Sequence, residues 1–244
     1  MISIVDMSKK IFLLGDSIID NKSYVLDGEL EVAEHLRYLT TKDENFDNEP
    51  EIKKIAVDGF TMNDLIENSL NTEDLCEATH IVVSIGGNDL LHNISFLQTT
   101  SDLSRIMGKG AMIGKWGTKE LNPTRNKVFE ETYFEIIKPF KQQYETIVAN
   151  LSNQRANLLL CTVYEGDLVD SDEFSDVSNS SKTMVSIFND IVYRTANKFN
   201  VDVLELRNIF TSPQDYANPI EPSHTGGEKL AQEIIHWINT KNEN

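Results

Sequence analysis

The chain reads as one α/β domain, a parallel sheet with helices packed on both faces, and three observations predict it. Short, continuous apolar runs recur at wide spacing, the mark of strands covered on both sides. The segments between them carry apolar residues at a period near 3.6, which is the period of a helix with one buried face. The two kinds of segment alternate along the whole chain, without repeat or linker. That order leads to a parallel sheet rather than to separate strand-rich and helix-rich units.

The elements follow in turn. Residues 11–14 (Ile-Phe-Leu-Leu) form a first strand closed by Gly15. Residues 54–57 form a second that ends before Asp58-Gly59, and residues 80–85 a third that ends at Gly86-Gly87. Residues 158–163 and 201–206 supply the fourth and fifth. Phe140, Tyr144, Ile147, Val148 and Leu151 share one face of a helix whose first turn accepts Pro139. Leu230, Ala231, Ile234, Ile235 and Ile238 share the face of a last helix, expected to start after Gly226-Gly227. Residues 90–125 and the acidic, serine-rich 165–182 read as surface excursions from a single domain spanning 1–244.

Composition narrows the function. With 244 residues, 40% of them hydrophobic, the chain is long enough to bury a sizeable core. Its 22 Lys and Arg face 39 Asp and Glu, a net charge of −17, which argues against nucleic acid or an anionic membrane as partner. Cys76 and Cys161 are too few for a disulfide scaffold and neither belongs to a Cys-x-x-Cys pair. The opening residues do not read as a signal peptide, since Asp6 breaks a short apolar stretch, and no apolar run is long enough to span a bilayer. The expectation is a cytoplasmic protein with no membrane insertion.

Three strand ends carry unusual residues: Gly15-Asp16-Ser17, Asp58-Gly59-Phe60-Thr61 and Gly86-Gly87-Asn88-Asp89. A fourth block, Glu221-Pro222-Ser223-His224, precedes the last helix. In a doubly wound sheet all four reach the rim at the carboxyl ends of the strands, where such folds bind ligands. Ser17 stands at a strand-to-helix turn, and its hydroxyl is a weak nucleophile until a base takes its proton. His224 is the candidate base and Glu221 the candidate acid that orients it. The Ser17 N–H, the Gly59 N–H and the Asn88 amide are candidate donors to an oxyanion.

In these four blocks, in this order, the chain resembles the SGNH, or GDSL-type, hydrolases over residues 11–238. The resemblance implies a flavodoxin-like, three-layer αβα sandwich with strand order 2-1-3-4-5. It also implies a serine esterase, lipase or deacetylase that works through an acyl-serine and needs no metal or other cofactor, on a small-molecule acyl ester. Ser17 matches the nucleophile, Gly59 the glycine, Asn88 the asparagine and His224 the histidine. The family pattern is Asp-x-x-His, and here the acid is Glu221.

Two other readings stand beside the hydrolase. One keeps the fold and loses the chemistry, leaving a carbohydrate- or lipid-binding module with a triad disabled at Glu221. The other is a phosphate- or flavin-binding protein, disfavoured by the carboxylates of Asp16 and Asp20 in the first loop. Glu-x-x-His recurs at Glu77, Glu221 and Glu233, but the strands exclude the helix bundle in which such pairs hold metals. Between Ser101 and Lys127, six Lys and Arg face only Asp102 and Glu120, and Met107, Met112, Ile113 and Trp116 lie among glycines. That composition suits either a solvated loop or a lid that offers cations to an anionic part of a substrate.

Overall fold

A computed structural model describes residues 8–46, 48–70, 73–99, 133–166 and 175–241. Five strands form the sheet: β1 (Lys10–Gly15), β2 (Glu51–Lys54), β3 (His80–Ser84), β4 (Asn157–Cys161) and β5 (Asp202–Leu204). Their order is β2-β1-β3-β4-β5 and every pairing is parallel. The helices are α1 (Val32–Thr40), α2 (Met62–Asn68), α3 (Gly87–Thr99), α4 (Lys138–Ser152), α5 (Ser175–Phe199) and α6 (His224–Thr240).

Alternation along β1 divides the core. Ile11 and Leu13 face α1 and α6, where they meet Val32, Leu36, Leu230, Ile234 and Ile238. Phe12 and Leu14 face α2, α4 and α5, where they meet Leu65, Phe140, Ile147, Phe188 and Val192. With both faces covered, β1 and β3 have no side that tolerates charge, which is why they read as continuous apolar runs.

The structure shifts three expectations. The second strand covers Glu51–Lys54 rather than 54–57. As an edge strand it needs only Ile52 buried, and Lys53 and Lys54 reach outward to Asp74 and to Asp20 and Glu31. The apolar residues 55–57 follow the ladder as the chain turns away, their N–H groups still donating to Leu13 and Gly15. The last helix starts at His224, two residues before the paired glycines. A Cβ on Gly226 would lie 2.2 Å from the Asp215 carbonyl, so that glycine records close packing rather than a helix boundary. Of the two excursions, residues 87–99 are helix α3 and Ser175–Phe199 is α5; residues 100–125 and 167–174 lie outside the described residues.

Candidate active site

β1 ends in Gly15, whose φ of +138° suits only glycine and whose Cβ would collide with the Ser84 carbonyl. This close approach to β3 turns the chain sharply. It buries Asp16 and leaves Ser17 at the strand end, with both residues lining a cavity of about 180 Å³. The Asp16 side chain accepts a 3.1 Å hydrogen bond from Ile18 N–H, which closes the turn. The Ser17 N–H donates to no other group among the described residues.

The glycine and asparagine blocks meet across the rim. Asn88 opens the first turn of α3, lines the cavity, and donates one amide hydrogen to the Phe60 carbonyl at 3.0 Å. Gly59, next to Phe60, has a φ of +82° that favours glycine; it does not line the cavity. Asp89 accepts from Met62 N–H at 3.0 Å and so ties α3 to the start of α2.

The fourth block departs from the expected arrangement. The Ser17 hydroxyl favours the ionised form of the Glu221 carboxylate, and both residues line the cavity. No hydrogen bond joins Ser17 to His224 among the described residues, and His224 does not line the cavity. Its Nδ1 instead lies 3.1 Å from Leu30 N–H, which donates to it, and 3.0 Å from His35 Nε2. The physical reason is the turn between the two residues. Asn218 Oδ1 accepts from the N–H groups of Ile220 and Glu221, the Tyr164 hydroxyl donates to the Ile220 carbonyl at 2.6 Å, and Ala217 N–H donates to the Glu221 carbonyl. These bonds present Glu221 to the rim. Ser223 then caps α6 by accepting from Gly226 N–H, and the first helical residue, His224, turns toward α1. Asn21, fully buried, braces the same corner: it donates to the Pro222 carbonyl and accepts from Val32 N–H.

Burial sets the charges. Glu221 is 9% exposed; burial raises its pKa above the ordinary carboxylate value, against the lowering influence of the Ser17 hydroxyl, and the charge of Asp58 adds to the rise. Asp16 is 1% exposed. Burial pushes it up to about 8 despite the Ile18 hydrogen bond, with Glu221 and Asp89 adding like-charge repulsion. The remaining cavity wall is apolar and was not legible as such in the sequence: Ile18, Leu90, Leu91, Val163, Tyr164, Met184, Val185 and Ile220, with Glu165 and Gly87 completing it. No group of residues suited to a metal ion occurs among the described residues.

No protein-family model matches the chain, and no curated protein sequence matches it. Solved structures do. A lipase/acylhydrolase from Enterococcus faecalis superposes with a TM-score of 0.57 at 16% identity, over 96% of each chain. The fold is that of the SGNH hydrolases. A lipase from a goat rumen metagenome has a TM-score of 0.62 at 17% identity, over 94% of this chain and 97% of its own. An extracellular lipase from Streptomyces rimosus has 0.58 at 12% identity, over 94% and 99%. The SGNH fold thus covers nearly the whole chain, and the five-stranded order 2-1-3-4-5 is its sheet.

Proposed function

We propose that the chain is a carboxylic ester hydrolase in which Ser17 is the nucleophile and Glu221 its base. The observation that carries this reading is that Ser17 and the buried carboxylate of Glu221 line one cavity with an apolar wall, where the hydroxyl favours the ionised carboxylate. A carboxylate in water is too weak a base for a serine; burial raises its basicity toward the range in which general bases work. Glu221 takes the Ser17 proton as Oγ attacks the acyl carbon, giving a tetrahedral intermediate. The unbonded Ser17 N–H and the second amide hydrogen of Asn88 lie where they could receive the oxyanion, and the resemblance adds the Gly59 N–H. The intermediate collapses, and protonated Glu221 returns its proton to the departing alcohol or thiol. Water, deprotonated by Glu221, then cleaves the acyl-serine. These steps use groups of this chain alone. The structural neighbours include lipases and an acetyl xylan esterase, which agrees with an ester as substrate.

The position of His224 favours a second reading, the binding module without hydrolysis. A fluorophosphonate probe and p-nitrophenyl esters of increasing chain length separate the two, with Ser17→Ala as control. The hydrolase labels at Ser17 and turns over at least one ester. A chain that takes up no probe and cleaves none of the series is the binding module.

A further inference from the structure

The charge of the cavity points to what it selects. Three of its lining residues are acids, Asp16, Glu165 and Glu221, and among the described residues none that lines it is Lys, Arg or His. The carboxylates of Asp16 and Glu221 each have one buried oxygen, Oδ2 and Oε2, without a hydrogen-bond partner among the described residues. Buried acceptors of this kind are costly to leave unmade. Arg207, whose charge reaches Glu165, is itself paired with Glu205. Asp58 and Asp89 add further negative charge that Glu221 and Asp16 feel.

We propose that the cavity beside Ser17 binds an amine, as an ammonium group held among Asp16, Glu165 and Glu221 with its apolar chain along Leu90, Leu91, Val185 and Met184. An ammonium carries only donors, which suit the unpartnered carboxylate oxygens of Asp16 and Glu221. The Tyr164 ring in the same wall adds a surface suited to a cation. An anion of equal length finds like charge here. As a statement about turnover, that is, an ester that also carries an amine, the proposal rests on the hydrolase reading. As a statement about binding it does not. Since burial keeps a proton on Asp16 near neutral pH, arrival of the cation favours its release, so binding is expected to shed protons.

The test is calorimetric titration of the full-length Ser17→Ala protein with hexylammonium, 1-hexanol and hexanoate, three probes of one chain length and different charge. The expected result is hexylammonium at least about tenfold tighter than hexanol, as one desolvated charged contact supplies. Its heat should vary with the ionisation enthalpy of the buffer, and hexanoate should bind weakest. In Ser17→Ala/Asp16→Asn the preference for the cation should shrink. Hexylammonium no tighter than hexanol, or hexanoate tighter than both, overturns the proposal. A parallel comparison of 2-(dimethylamino)ethyl hexanoate, protonated at neutral pH, with uncharged 3-methylbutyl hexanoate on the wild-type protein reads turnover. If neither ester is cleaved while hexylammonium still binds preferentially, the hydrolase reading fails and the amine site stands.

Discussion

At the scale of single residues, burial raises two carboxyl groups of the cavity, Glu221 and Asp16, above the ordinary carboxylate range. Glu221 acts as a base only when ionised, and burial lifts its pKa above the usual value. The kcat/KM for a p-nitrophenyl ester should therefore rise with pH through a titration above that of a free glutamate, and a profile already flat at pH 5 would contradict this. Asp16 affects stability more than reaction. Its folded pKa of about 8 lies well above the ordinary aspartate value of 3.8, so the folded state holds a proton that the unfolded chain gives up. The stability it contributes is fully present below about pH 4 and is lost as pH rises through its folded value. Asp16→Asn keeps the Oδ1 that accepts from Ile18 and removes the titration. Thermal denaturation across this window should show the wild type falling and the variant nearly flat by comparison. Parallel curves would mean that Asp16 is ionised in the folded protein.

At the scale of elements the sequence was legible where packing is two-sided and less so where it is not. β1 and β3, buried on both faces, appear as apolar runs at nearly their true bounds. β2, at the edge, is buried mainly through Ile52, and its apolar neighbours drew the expected strand three residues late. The start of α6 was misplaced because paired glycines read as a boundary, whereas here they allow the helix to approach Asp215, Asn21 and Val32. The stability of this helix start is testable. Ser223→Ala removes the cap to Gly226 N–H and should cost about 1 kcal/mol in urea denaturation. Gly226→Ala places a Cβ 2.2 Å from the Asp215 carbonyl and should cost more than the lost cap; a smaller loss would show that the corner relaxes. Since this corner also presents Glu221, Gly226→Ala is expected to lower kcat as well.

At the scale of the whole molecule, the four blocks could be placed on one rim from the order of strands alone, and the sheet brings Ser17, Asn88 and Glu221 to one cavity. The proposed choice of Glu221 over His224 was not legible, because it rests on a turn of hydrogen bonds from Asn218 and Tyr164 that residue spacing does not reveal. The apolar wall was hidden for a similar reason: Leu90, Val163 and Val185 come from three distant segments and meet only in the fold. That wall should set acyl length. Val185→Phe fills part of the cavity and should lower kcat/KM for p-nitrophenyl hexanoate by about tenfold or more while sparing the acetate; equal losses on both would place the acyl chain elsewhere. The central claim, that the carboxylate sharing the cavity with Ser17 is the base, is tested most directly by measuring kcat on one p-nitrophenyl ester for Glu221→Gln and His224→Gln side by side. Glu221→Gln should lose about 10²–10⁴-fold, the usual worth of a general base, with His224→Gln within about tenfold of wild type. A His224→Gln protein as inactive as Ser17→Ala, beside an active Glu221→Gln, would contradict it.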